Sequence, residues 1–347
     1  MYNLLDCVTY IPTSLTKEEL ISHGEVSVFG ADGSIVGYSN NGCINPYIAI
    51  VKDGAGCGNV YLRDKNTMVL GTMGIMEPKE IDINYLFNYL KTINFDKYII
   101  GTTIPHLYFK DYQKLNVPRY KPKKEEKIGS FFKELDELIS DYQQIRQLLK
   151  ESFFHFSNKF FPLHFDKYIR VEDVASERKE MDFSNDYNHL SLTIDGLIPK
   201  TDQYNRDFLM TDKENKKFKV TRINDICYNP ANLKFNVITM NQIGTGIFSP
   251  IYVTLETKNI DKLYSKYLFT SKNFIKMARK YEEGTITERI GVKSSDFLKV
   301  KIINHTPYEQ KAIAKLLKEH EELLELYSDY IRLLEQTKKY YLNKIFN

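Results

Sequence analysis

Two long segments of the chain place apolar residues with the spacing of a coiled-coil helix. In the first segment the apolar positions step by three and four residues alternately, at Ile128, Phe131, Leu135, Leu138, Tyr142, Ile145, Leu149 and Phe156. The second segment repeats these steps with Ile313, Leu316, His320, Leu323, Tyr327, Tyr330, Leu334 and Tyr341. A period of about 3.5 residues keeps one apolar seam facing a partner helix. The pattern therefore predicts two long helices, and the simplest partner for each is the other.

The two segments are also copies of each other in sequence. A constant offset of 185 residues superposes Pro122 on Pro307 and continues without a gap to Phe161 and Phe346. Identical pairs along this offset include Ile128 with Ile313, Glu134 with Glu319, Tyr142 with Tyr327, and Leu148 with Leu333. A helix of about 34 residues is about 50 Å long, so each copy could serve as a spacer.

A segment of mixed character precedes each predicted helix. The first has β-like runs EVSVF, YIAIV, NVYLR and MVLGTMGIM, and the second has HLSLTIDG, KFKVTR and SPIYVTLET. Each then continues into a helical pattern, DINYLFNYLKTINF or NIDKLYSKYLFTSKNFIKMARKY. We interpret the chain as two copies of a unit that joins a variable globular domain to a helix. The predicted boundaries are 1–118 and 162–303 for the domains and 119–161 and 304–347 for the helices.

The composition disfavours a membrane protein, a zinc protein and a disulfide-rich protein, and it does not identify a binding partner. The chain has 347 residues, 42% of them apolar and 27% charged, and no apolar run approaches the ~18 residues that cross a bilayer. The start MYNLLDCVTY lacks a basic segment followed by an apolar one, so we expect a cytoplasmic protein. The four cysteines form no CxxC pair, which disfavours a zinc site or a disulfide framework. A net charge of +3 is too small to indicate nucleic acid.

The plan of two dissimilar domains, each followed by a similar long helix, resembles the specificity subunit of type I restriction-modification enzymes. The text TPYEQKAIAKLLKEHEELL, with Pro307, Gln310 and Ile313, is similar to the family's motif at the entry to its spacer helices. GTTIPH, GTITER, NQIGTGIFSPIYVTLE and FGADGSIVGYSNNG with YIAIVKDGAGCGNVYL also resemble family text. The resemblance covers essentially the whole chain. One departure is Glu125, which stands where the second copy has Gln310.

The resemblance implies an α+β fold: two mixed α/β target-recognition domains separated by two long antiparallel coiled-coil spacer helices, with an internal pseudo-twofold repeat. It also implies a protein without a catalytic centre, in which each domain recognises one half of an asymmetric, split target in double-stranded DNA. Two methyltransferase subunits are expected to bind around the spacers, and a restriction subunit is left open as a further partner. We expect no cofactor in this chain, because S-adenosylmethionine, ATP and magnesium belong to the partner subunits, and no membrane partner.

Candidate DNA contacts are basic and amide side chains on loops, since base recognition and phosphate contact need such groups. In the first domain they are Arg63, Lys65, Thr102, Thr103 and His106. In the second domain they are Lys216, Lys217, Lys219, Arg222, Asn241, Gln242, Lys272, Lys276, Arg279, Lys280, Thr285, Thr287 and Arg289. The alternative for the lysine-rich patch near Arg279 is a solvated helix face, and for the loop residues it is ordinary turn chemistry.

A nuclease and a structural adaptor are the alternative functions. Glu256 and Lys258 form an ExK fragment of the kind with which nucleases bind a divalent metal, but no upstream aspartate is clearly placed to complete it. A coiled-coil adaptor that does not bind DNA is the second alternative, although it would not need two complete globular domains. A methyltransferase is disfavoured, because the chain lacks both a glycine-rich cofactor turn and an Asn/Asp-Pro-Pro-aromatic pocket.

Overall fold

The chain forms two compact units. The computed structural model describes residues 2–182, 187–200, 217–282 and 291–346. The first unit comprises Met1–Ile145 with Tyr327–Asn347, and the second comprises Arg146–Leu326. The division falls inside both long helices, so each unit contains one globular domain and part of each helix.

Helices α1 to α9 are Leu4–Cys7, Ile83–Thr92, Phe109–Tyr112, Pro122–Phe160, Val171–Val174, Lys262–Thr270, Lys272–Ala278, Ser294–Phe297 and Pro307–Phe346. Short 3-10 helices are Lys17–Glu19, Asp96–Tyr98, Pro230–Phe235 and Arg279–Tyr281. Among the described residues, no helix has the combination of length and apolar character that crossing a membrane requires.

Strands β1 to β9 lie in the first unit and are Tyr2–Asn3, Val8–Pro12, Val26–Phe29, Ile35–Ser39, Tyr47–Val51, Val60–Arg63, Thr67–Val69, Met73–Pro78 and Asn116–Val117. Strands β10 to β20 lie in the second and are Tyr168–Arg170, Ala175–Glu177, Met181–Asp182, Leu190–Thr193, Gly196–Pro199, Phe218–Thr221, Ile226–Tyr228, Ile238–Met240, Gly246–Phe248, Val253–Thr257 and Lys301–Ile303. These bounds confirm the β-like runs predicted from the sequence.

The main sheets of the two units share one topology despite their unlike sequences. In the first unit the antiparallel order is β2-β8-β5-β6, and in the second it is β11-β19-β16-β17. In both sheets the first strand along the chain is followed by the fourth, the second and the third. A helix packs beside each sheet, and an aspartate caps the start of that helix. Asp82 accepts a hydrogen bond from the backbone N–H of Tyr85, and Asp261 accepts one from the backbone N–H of Tyr264. The two globular domains are therefore variants of one fold.

The second unit departs from the sequence prediction at one helix. The pattern from residue 259 to 281 predicts a single helix, but the structure divides it into α6 and α7. Ser271 has an extended backbone, with φ −67° and ψ 141°, and its hydroxyl accepts a hydrogen bond from the backbone N–H of Phe274. The serine thus caps a new helix where the periodicity alone gives no interruption.

The predicted pairing of the long helices is confirmed within each unit. In the first unit Phe131 packs on Tyr341 at 5.3 Å between ring centroids, and Tyr142 packs on Tyr330 at 4.7 Å, so the two helices run antiparallel. Lys338 adds an ion pair with Asp136 at 2.6 Å. In the second unit the His320 ring contacts Phe156 at 5.8 Å. These ring contacts join seam positions predicted from the heptad pattern, whereas the seam residues Leu138 and Leu323 stay exposed and the neighbouring Phe132 and Ile139 are buried.

The entry to each long helix is fixed by equivalent residues that use different partners. Glu125 is almost fully buried, accepts from Arg119 Nε at 2.8 Å and accepts from the backbone N–H of Tyr120 at 2.8 Å. Gln310 accepts from the backbone of Asp261 at 2.9 Å and donates to the carbonyl of His305 at 2.9 Å. Glu125 and Gln310 therefore bond to different partners, and each of them links its long helix to the globular domain before it.

We predict that His320→Leu stabilises the protein. The Nε2 atom of His320 is buried without a hydrogen-bond partner among the described residues, whereas the equivalent position of the first copy is Leu135. Removing an unsatisfied buried polar atom is expected to contribute about 1 kcal/mol. Thermal unfolding of the full chain measures the effect. The reciprocal change Leu135→His is the control and should lower the melting temperature; an unchanged or lower value for His320→Leu would contradict the assignment.

Candidate nucleic-acid interface

Two turns lie side by side at one end of the β5–β6 hairpin in the first domain. Residues 43–46 precede β5 and residues 64–66 follow β6. The backbone N–H of Asn66 donates to Cys43 O at 2.8 Å, and that of Cys43 donates to Thr67 O at 3.0 Å. We name these two segments the first paired turn. Its exposed side chains are Ile44, Asn45, Pro46, Asp64, Lys65 and Asn66.

The first paired turn has a rigid base. Asn66 lies in the left-handed region with φ 57°. A Cβ on Gly42 would approach the backbone of Asn66 to 3.0 Å, so the two turns are close enough to favour glycine there. Arg63 stacks on Phe29 at 3.8 Å and donates to Gly33 O at 3.1 Å, and burial lowers the pKa of its guanidinium. Arg63 thus supports the turn from within, whereas Lys65 is exposed on it.

A second pair of turns lies at the matching end of the β16–β17 hairpin in the second domain. Residues 222–225 precede β16 and residues 241–244 follow β17. The backbone N–H of Asn224 donates to Asn241 O at 2.8 Å, and that of Asn241 donates to Asp225 O at 2.7 Å. We name these segments the second paired turn. Its exposed side chains are Arg222, Ile223, Gln242 and Ile243.

Asn241 shapes the second paired turn rather than projecting from it. Its side chain is fully buried, donates to Gly244 O at 2.7 Å and Thr221 Oγ1 at 3.1 Å, and accepts from the backbone of Ile243 at 3.0 Å. The neighbouring Gln242 is exposed. Of these two predicted contacts, only Gln242 has an accessible amide.

Ion pairs occupy most of the basic residues beneath the second paired turn. Arg178 binds Asp225 through two bonds of 2.7 and 3.1 Å, and Lys219 binds Glu177 at 2.6 Å. Arg222 binds Glu180 at 2.7 Å, and this hydrogen bond lowers the pKa of the Glu180 carboxyl. Lys219 is therefore a structural cation, and Arg222 must exchange Glu180 for any phosphate it contacts.

The glycine loop of the first domain presents two of its three predicted contacts. The backbone groups of Ile100 and His106 bond each other at 2.9 and 2.8 Å, which closes a loop that exposes Thr102 and Thr103. His106 Nδ1 lies 2.7 Å from a carboxylate oxygen of Asp53. Thr102 and Thr103 are free to reach a groove, while His106 also links its loop to the one that contains Asp53.

Two basic residues of the lysine-rich patch in the second domain are already bound to glutamates. Lys266 binds Glu321 at 2.6 Å, and Arg279 binds Glu282 at 2.7 Å. Lys272 lies over the ring of Phe154 at 4.5 Å, with its side chain exposed, and Lys276 and Lys280 are also exposed. Lys217 is exposed as well, whereas Lys216, Thr285, Thr287 and Arg289 lie outside the described residues. The DNA contacts assigned to all these residues stay predictions.

Sequence reasoning did not select Ile44, Asn45, Asn66, Ile223 or Ile243 on the paired turns, nor Arg178 beneath the second one. Asn45 and Ile44 precede a buried strand and give no signal until that strand is paired with its neighbour. Arg178 is separated from Asp225 by 47 residues, so nothing local in the sequence reveals their ion pair. The fragment with Glu256 joins the same network, because Arg178 lies 3.3 Å from its carboxylate. Within the described part of the chain, no three histidine, cysteine, aspartate or glutamate side chains are grouped as metal ligands.

Comparison with known proteins gives a family for the first domain and a fold for the whole chain. Residues 10–151 match the family model described as type I restriction modification DNA specificity domain. The crystal structure of a type I restriction-modification S subunit from M. genitalium is similar, with a TM-score of 0.67 and 15% identity, over 100% of this chain and 95% of that one. No curated protein matches the chain.

A structure from work on complex assembly and conformational transition of the type I R-M system is also similar, with a TM-score of 0.51 and 13% identity. It covers 100% of this chain and 97% of that one. At these identities the structures show a shared fold, and that fold includes both domains and both long helices. The family match confirms the predicted resemblance over residues 10–151, and the two structures confirm the predicted fold.

We predict that acid weakens the second unit through the ion pairs beneath its paired turn. The pKa of Glu180 is lowered in the folded protein, so its contribution to stability is present above the ordinary glutamate value of 4.5 and is lost as pH falls below it. Arg222→Gln removes the partner and should flatten this part of the pH dependence of the melting temperature. Arg332→Gln, at an exposed pair on α9, is the control. Equal slopes for Arg222→Gln and the unchanged protein would contradict the assignment.

A second prediction concerns the lysine-rich patch. Replacing Arg279 and Lys280 together by glutamine is expected to weaken binding to all duplexes alike, roughly ten- to hundredfold at about 0.1 M salt, because phosphate contacts are independent of sequence. The slope of log affinity against log salt should fall by about 2. Lys315→Gln with Lys318→Gln, on exposed positions of α9, is the matched control. Unchanged affinity and slope would remove the patch from the interface.

Proposed function

We propose that this chain is a DNA specificity subunit of the type I restriction-modification kind, and that its two globular domains recognise the two halves of one interrupted DNA target. The family match of residues 10–151 and the fold shared with a solved S subunit support the proposal. The observation that carries the proposal is the pair of equivalent turns on unlike domains. The first paired turn exposes Lys65, Asp64 and two asparagines, and the second exposes Arg222 and Gln242. Since the exposed groups differ, the two half-sites are expected to differ, and the target is asymmetric.

The long helices are proposed to set the distance between the half-sites. Helix α4 has 39 residues and α9 has 40. At 1.5 Å per residue each is about 60 Å long, which exceeds one and a half turns of duplex DNA. Their pairing within each unit stiffens them, which supports a fixed spacing with unread base pairs in the middle of the target.

We propose that two methyltransferase subunits bind the outer faces of the helices. Apolar side chains outside the heptad seam stay exposed at two positions that the 185-residue offset makes equivalent, Leu148 and Leu333. Two equivalent apolar surfaces fit two copies of one partner. The family implies a non-catalytic chain, so the proposal assigns S-adenosylmethionine to the methyltransferases, ATP and magnesium to an added restriction subunit, and the whole assembly to the cytoplasm.

The proposal is tested by isolating the chain from its native cell with a mild affinity tag. Two copies of a methyltransferase for each copy of this chain are expected, together with duplex binding that weakens as salt rises. A double substitution of Leu148 and Leu333 by glutamate should reduce recovery of the methyltransferase. The equivalent change at exposed Lys315 and Lys318 is the control. Recovery of the chain alone, without duplex binding at low salt, would instead favour a structural adaptor and overturn the proposed function.

A further inference from the structure

The most exposed isoleucines of the two domains include three on the paired turns. The side chain of Ile44 is 85% exposed, and those of Ile223 and Ile243 are 60% and 50% exposed. Single exposed apolar residues are common on protein surfaces and carry no meaning by themselves. These three are different because they lie at the same place in two domains that share a topology but little sequence.

The three isoleucines lie at equivalent positions of the two four-stranded sheets. Each isoleucine lies beside the end of the hairpin formed by the second and third strands of a four-stranded sheet, next to Tyr47 paired with Arg63 or Ile226 paired with Met240. Each paired turn is closed by two backbone hydrogen bonds, and each includes one asparagine with positive φ, Asn66 at 57° or Asn224 at 69°. The isoleucines are therefore presented on a rigid base, which is what precise contact with a ligand requires.

The polar neighbours of the isoleucines indicate the ligand. In the first paired turn Asn45 follows Ile44, and Lys65 stands between Asp64 and Asn66. In the second, Arg222 and Gln242 accompany Ile223 and Ile243. Amide side chains pair with adenine, and lysine or arginine with guanine, in the major groove. An apolar side chain beside them suits the C5-methyl group of thymine, which is the apolar feature of that groove.

We propose that Ile44 in the first domain, and Ile223 with Ile243 in the second, contact thymine methyl groups and set part of the base preference of each half-site. This inference rests on the proposed function, and it adds the residues that determine specificity. The first paired turn lies within the segment matched to a DNA specificity domain, which supports DNA as the occupant.

The test uses the full chain in complex with its methyltransferase subunits and a pool of random duplexes from which bound sequences are selected. Ile44→Ser should reduce the preference for a thymine-adenine pair at one position of one half-site by roughly three- to tenfold, and leave the other half unchanged. Ile44→Val, which keeps an apolar branch, should retain most of the preference. Ile223→Ser with Ile243→Ser should act on the other half only.

Matched controls are Ile35→Ser in the first domain and Ile251→Ser in the second, since these isoleucines are 52% and 57% exposed but lie outside the paired turns. Both should leave every base preference intact. If the unchanged complex selects no split target, the proposed function itself fails. If it selects one and Ile44→Ser preserves it, the inference alone is wrong. Loss of a methyltransferase from the Ile44→Ser complex would show a protein-docking surface and would also overturn the inference.

Discussion

Each compact unit depends on an aromatic contact made by the last turn of a long helix that begins in the other unit. Phe346, at the end of α9, packs on Tyr85 at 5.2 Å and on Tyr89 at 5.6 Å in the first domain. Phe161, just after α4, is buried and packs on Tyr264 at 5.5 Å in the second domain. Phe346 and Phe161 are equivalent under the 185-residue offset. Aromatic pairs of this kind contribute about 0.5–1.5 kcal/mol each beyond their buried area.

This constraint explains why the chain contains two similar helices. A globular domain packs against the beginning of the helix that follows it and the end of the helix that precedes it, or, for the first domain, the end of the last helix. Both ends must present compatible surfaces to both domains, so the helices keep similar sequences while the domains diverge. In agreement with this, each compact unit contains part of both long helices.

The two copies nevertheless use different bonds at equivalent positions. Asp136 of the first copy is bound by Lys338 from the opposite helix, whereas its equivalent Glu321 is bound by Lys266 from the globular domain. Buried Glu125 depends on Arg119, whereas Gln310 bonds two backbone groups. Removing one member of a buried ion pair is costly because a charge is left without a partner. Equivalent positions of the two helices are therefore bound by different groups in the two units.

The sequence was sufficient for the features that follow from periodicity and repetition. The heptad steps predicted both long helices and the seam residues whose rings meet, such as Tyr142 and Tyr330, and alternation predicted the principal strands. Features that depend on tertiary contacts could not be predicted from the sequence. Ser271 begins helix α7 through its own hydroxyl, and the ion pair of Lys219 with Glu177 joins residues 42 positions apart. The paired turns become visible only when the strand order places residues 43–46 beside residues 64–66.

The central claim is that one chain recognises two unlike half-sites at a fixed distance. Sequencing the duplexes that the native complex selects from a random pool tests this claim most directly. The account predicts two short conserved blocks that differ from each other and are separated by a constant number of unspecified base pairs. A single continuous block, or two identical blocks in palindromic arrangement, would contradict it.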